Sequence, residues 1–205
     1  MSAASGITSS TALWYASRAT GIVSLIMLTG VVVLGVAVQK RGRLPGLPKF
    51  AVVGLHRSLS LLSVAFLVIH ILSAIADSYV NIRLTDAIIP FAASYEPLWL
   101  GLGTVGFDLI LALIITSLLR VRIGHRTWRW VHWLAYVSWP VAIAHSLGSS
   151  TDMQSGWLLG LGIGCILAVA AALAWRVSEG RKPHEVPRAA RVSVLFEQLS
   201  GGRQQ

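Results

Sequence analysis

Four histidines lie inside long apolar runs, and they come as two pairs: His56 with His70, 14 positions apart, and His132 with His145, 13 apart. On helices rising about 1.5 Å per residue, these steps separate the members of each pair by about 21 Å and about 20 Å. If both helices run in the same direction, His56 meets His132 at one depth and His70 meets His145 at another. A neutral imidazole is a common axial ligand for iron in haem, and two of them make the six-coordinate iron suited to electron transfer. Copper or zinc would require three or four ligands converging at one depth, whereas this pattern offers two per depth. Four isolated core histidines would not need matched depths. The remaining two, His125 and His184, fall in polar basic segments and read as solvated.

Rotation complicates the arrangement. A step of 14 leaves His70 only about 40° from the direction of His56, but a step of 13 on a straight helix leaves His145 about 140° away from His132. Pro140 lies between them. It removes a backbone hydrogen bond, so an irregular helix is expected there.

The elements that must carry these residues are membrane spans. The chain has 205 residues and is 55% hydrophobic but only 12% charged, with a mean hydropathy of +0.69. A span needs about 20 apolar residues, and five segments qualify: 14–38, 52–76, 98–119, 130–149 and 157–176. The expected fold is therefore an all-α integral membrane bundle of five transmembrane helices. Residues 1–13 form a short leading segment and 177–205 a polar tail. The first run ends in "QKRGR" and lacks a basic lead-in, so it reads as a retained span rather than a cleaved signal.

A net charge of +9 raises the question of nucleic acid, but the basic residues are confined to alternate connections. "QKRGRLPGLPK" (39–49), "RVRIGHRTWR" (120–129) and the tail are basic, while 1–13, 77–97 and "SSTD" are not. The bias that keeps Lys and Arg on the cytoplasmic side explains this pattern. It places the N-terminus outside and the C-terminus in the cytoplasm, with no nucleic-acid partner. The expected location is the cell membrane, multi-pass, and the bacterial plasma membrane in particular. Cys165 is the only cysteine, which excludes an intramolecular disulfide. "VNIRLTDAIIPF" in the outer connection reads as a short interfacial helix ended by Pro90.

The spacing of 14, then a span, then 13 resembles the ferric reductase transmembrane domain. That family includes NADPH oxidases, ferric reductases and the haem subunit of the methionine sulfoxide reductase system. "WYASRATGIVSL", "PFAASYEPLWLGLGT" and "TSLLRVRIGHRTWRWVHWLAYVSWP" add to the resemblance, which covers roughly residues 14 to 176. It implies two haem b groups, an inner one held by His56 and His132 and an outer one held by His70 and His145. The family commonly has six spans, whereas this sequence shows five. Residues 177–205 are too few for a flavin or nicotinamide domain, so the expected electron donor is a separate flavoprotein or iron–sulfur protein on the cytoplasmic side. The acceptor would lie outside.

Haem propionates need cationic or hydrogen-bonding partners. Arg57, next to His56, and Arg129, three residues before His132, are candidates at the inner level, and Arg18 at the outer level. Ordinary positive-inside charge accounts for the first two equally well, and snorkelling for Arg18. Asp108 falls near mid-membrane as a packing or proton-handling group. Trp133 and Trp139 could pack on a haem, although interfacial packing explains most tryptophans of such a protein. The basic loops could dock an acidic donor protein or anionic lipid. The sequence therefore points to an oxidoreductase subunit that moves electrons outward. A quinol-oxidising cytochrome b, or a non-haem transporter or scaffold, remain open alternatives.

Overall fold

A computed structural model describes residues 2–39, 47–77, 80–150 and 156–180, with side chains for 11–38, 47–77, 80–150 and 156–178. Most of the basic 39–49 connection, the 151–155 connection containing Asp152, and the tail from 181, including His184, lie outside the described residues. The described chain is all-α. In order the elements are α1 (Ser2–Gln39), α2 (Lys49–Ala76), a 3₁₀ turn (Leu84–Ala87), α3 (Pro97–Leu118), α4 (Arg120–Ile123), α5 (His125–His132), α6 (Ala135–Ser149) and α7 (Gly156–Gly180).

The boundaries follow local chemistry. Pro48 sits just before α2 in extended conformation, and Pro97 opens α3, a position where its missing N–H costs nothing. Gly124, at φ +80°, separates α4 from α5 in a conformation that residues with a Cβ avoid. The expected interfacial helix is only the 3₁₀ turn, and it ends before Pro90 is reached. α1 extends well ahead of the expected span, although its apolar portion is Thr11–Val38.

Four described helices are long and apolar enough to cross a membrane: Thr11–Val38, Lys49–Ala76, Pro97–Leu118 and Gly156–Ser178. The segment expected as one further span, 130–149, is instead two helices, α5 and α6, broken at Trp133–Leu134. The expected irregularity is therefore real, but its position is seven residues before Pro140, which lies inside α6.

α1 is the central helix, packing chiefly on α2 and also on α6 and α7, while α3 packs on α6. Leu25 and Val32 of α1, Trp139 and Ile143 of α6, and Cys165 and Val169 of α7 form the core. One buried hydrogen bond crosses it, from Trp139 Nε1 to Thr29 Oγ1 at 3.0 Å. Outward faces of α2 and α7 are apolar, with Leu61, Leu72 and Leu167 each about 60% exposed. In water that surface would be costly, but in hydrocarbon it is the natural exterior. This is a multi-pass membrane protein.

Candidate functional site

The fold brings the four histidines together as two facing pairs. The His56 and His132 ring centroids are 6.3 Å apart with planes at 70°, and those of His70 and His145 are 6.4 Å apart at 73°. α2 supplies one member of each pair. The other members come from different helices: His132 is the last residue of α5, and His145 lies in α6.

The break at Trp133–Leu134 makes this pairing possible. Backbone N–H groups of Trp133, Leu134, Tyr136 and Val137 bond carbonyls three residues back rather than four. Such winding turns about 120° per residue instead of about 100°. Over the steps from His132 to Val137 the gain is about 100°, most of the rotation that a straight helix would lack.

Three of the rings are oriented by backbone carbonyls. His70 Nδ1 donates to the Ser17 carbonyl at 2.7 Å, His56 Nδ1 to that of Val31 at 3.1 Å, and His145 Nδ1 to that of Trp99 at 2.8 Å. A carbonyl can only accept, so Nδ1 carries the proton, and in a neutral ring the lone pair is left on Nε2. This is the usual outer-shell arrangement of a metal-ligating histidine. His132 differs: its Nδ1 is buried with no hydrogen-bond partner among the described residues.

Glycines lie against the same three rings. A Cβ on Gly21 would come within 2.9 Å of the His70 ring, one on Gly103 within 2.8 Å of His145, and one on Gly35 within 3.4 Å of His56. Gly21 and Gly35 are 14 residues apart on α1, the same step as His70 and His56 on α2. That repeat was readable in the sequence, but only the packing of α1 on α2 gives it meaning.

A cavity of about 400 Å³ opens beside the His70–His145 pair, and its wall includes Ser17, Arg18, Gly21, Ser24, His70 and His145. Arg18 packs over the Trp14 ring, 4.0 Å from its centroid. Ser24 Oγ, also in the wall, is buried without a hydrogen-bond partner among the described residues. The connection after α2 covers part of the cavity: Asp86 lies in its wall, and the Asp86 carbonyl accepts from Thr104 Oγ1 of α3 at 2.7 Å.

Arg57 and Arg129 are exposed. Arg129 lines a separate cleft of about 300 Å³ with Arg126, Trp130 and Trp133. Arg176, near the end of α7, is a cation the sequence reasoning passed over. It donates to Tyr136 Oη at 2.9 Å and lies 5.1 Å over Trp133, beside the α5–α6 break. Trp139 belongs to the α1–α6–α7 core rather than to either histidine pair. Asp108 is exposed on α3.

The donor set suits a bis-imidazole iron. Metal–nitrogen bonds of about 2 Å, with about 1.1 Å more from each nitrogen to its ring centre, put facing ring centroids about 6.2 Å apart. Both pairs are close to that separation. No group of three or more His, Cys, Asp or Glu that could hold a metal ion occurs among the described residues. Each level thus presents two imidazoles, one from α2 and one from α5 or α6.

Residues 20–143 match the family described as ferric reductase like transmembrane component. That span is more than half of the chain, and the protein belongs to this family. Comparison with curated proteins and with solved structures returned no match.

Proposed function

We propose that the chain carries electrons across the membrane by way of two haem b groups, from a cytoplasmic donor to an extracytoplasmic acceptor. The carrying observation is the pair of matched imidazole separations, 6.3 and 6.4 Å. When bound, haem b supplies reversible one-electron chemistry at iron. His56 and His132 hold the inner group and His70 and His145 the outer one, at levels about 21 Å apart. The Ser17, Val31 and Trp99 carbonyls keep three of these rings in the tautomer that presents Nε2.

Arg18, in the cavity wall, would meet a propionate at the outer level; Arg57 and Arg129 are the cations nearest the inner pair in sequence. With α5 and α6 counted as one broken span, five spans place the N-terminus outside and the basic connections in the cytoplasm. Those connections receive an acidic flavoprotein or iron–sulfur protein as donor through charge complementarity.

The test is a reduced-minus-oxidised spectrum with pyridine haemochrome quantitation of the purified protein. Two b haems per chain are expected; a preparation without haem would overturn the proposal.

A further inference from the structure

Three of the histidines share one cradle, and the fourth lacks it. For His70 the cradle is the Ser17 carbonyl and Gly21, for His56 the Val31 carbonyl and Gly35, and for His145 the Trp99 carbonyl and Gly103. In each case the glycine follows the carbonyl residue by four positions, one helical turn, so carbonyl and gap face the same ring. On α1 the cradle occurs twice, 14 residues apart. On α3 it occurs once.

The position where a second α3 cradle would fall, 13 or 14 residues beyond Trp99 and Gly103, holds Ala112 and Leu113 followed by Thr116 and Ser117. No glycine is there. Thr116 Oγ1 instead donates back to the Ala112 carbonyl at 2.7 Å and the Leu113 carbonyl at 3.3 Å. Ser117 Oγ accepts from Trp128 Nε1 at 3.3 Å. The Trp128 ring in turn stacks on His132, with centroids 4.9 Å apart and planes at 28°. His132 is thereby held by a π-face anchored to α3, while its Nδ1 has no acceptor among the described residues.

We propose that Trp128 is the positioning residue for His132, standing in for the missing cradle, and that His132 is the exchangeable member of the four ligands. The inference rests on the two-haem reading. Stacking fixes the plane of a ring, but it does not raise the basicity of Nε2 as an Nδ1–H bond to a carbonyl does. Loss of such an outer-shell partner typically lowers metal affinity about 10- to 100-fold. His132 also ends α5, next to the break at Trp133–Leu134. The inner level is therefore the one that opens to an exogenous ligand.

The experiment uses purified, dithionite-reduced holoprotein titrated with carbon monoxide, with electron paramagnetic resonance of the oxidised form alongside. In the wild type, carbon monoxide binds one haem of the two, and binding persists in a His70→Ala/His145→Ala variant that retains only the inner haem. Trp128→Leu raises carbon monoxide affinity about 10-fold or more and turns one low-spin signal high-spin. Trp128→Phe, which keeps a stacking face, stays within about twofold of wild type.

Trp128→Leu indistinguishable from wild type overturns the proposal, as does an equal shift in the Leu and Phe variants. Should Trp128→Leu fail to accumulate, the wild-type titration decides, because uptake by both haems, by neither, or by the outer haem alone overturns the assignment of His132. Wild-type protein with no haem instead overturns the two-haem reading, before any variant is made.

Discussion

The two histidine levels draw one ligand each from the same helix, α2, yet they are built differently. At the His70–His145 level both imidazoles donate to backbone carbonyls, both lie against a glycine, and a cavity of about 400 Å³ opens beside them. At the His56–His132 level one imidazole has that support, and the other rests on a tryptophan at a helix break. The first level is made from continuous stretches of α1, α2, α3 and α6. The second depends on the short α5, whose ends are set by Gly124 and by the tight winding at Trp133–Leu134. Matched ring separations therefore do not imply matched support of the rings.

The sharpest break of this comparison is deletion of a ligand at the better-built level. His145→Ala should remove the outer haem and leave the inner one, lowering pyridine haemochrome from two haems per chain to one. Retention of both would contradict the assignment. A step smaller, glycine substitutions should grade with the space available. A Cβ at Gly21 comes within 2.9 Å of His70, whereas one at Gly35 is 3.4 Å from His56. Gly21→Ala should lower outer-haem affinity about 10- to 100-fold through displacement of the ligand ring. Gly35→Ala should stay within about twofold, and equal effects from the two would show that the glycines do not set the rings. Haem retention against an apomyoglobin trap reads both.

Weaker effects are expected away from the rings. Trp139→Phe removes the buried bond to Thr29 that ties α6 to α1. It should cost about 1 kcal/mol, with both haem spectra unchanged. Thermal or denaturant unfolding in detergent measures the first, and a shifted haem spectrum would place Trp139 nearer to a ligand than the core packing does. The smallest effect is that of Arg176→Met. It loses the bond to Tyr136 and the contact with Trp133, about 0.5–1 kcal/mol at an accessible helix end. Any haem effect should be confined to the inner level, and a change at the outer level would break the separation of the two.

Much of the site is legible in the sequence. His56, His70, His132 and His145 stand out because polar rings in apolar runs at steps of 14 and 13 are rare and carry a depth. The sequence also announced that the step of 13 required an irregular helix, but Pro140 drew attention to the wrong place. A proline marks a missing N–H, whereas a tightened turn at Trp133–Leu134 leaves no mark in residue type. The glycine cradles were half-visible, since Gly21 and Gly35 repeat the histidine spacing. Their role depends on which helix faces which, and an apolar helix packed all round carries little directional pattern to reveal that.

By itself, the sequence determined the all-α membrane character and the four imidazoles with their steps of 14 and 13. The membrane character follows from hydrocarbon thickness and helix rise, which act locally along the chain. Only the tertiary structure decided that the rings face one another at 6.3 and 6.4 Å, that carbonyls of α1 and α3 orient three of them, and that Trp128 stacks on the fourth. Those facts depend on close approach between helices far apart in sequence. Such packing is set by side-chain shape and by the backbone groups left available to accept a hydrogen bond, and neither is written in the order of residues along a single helix.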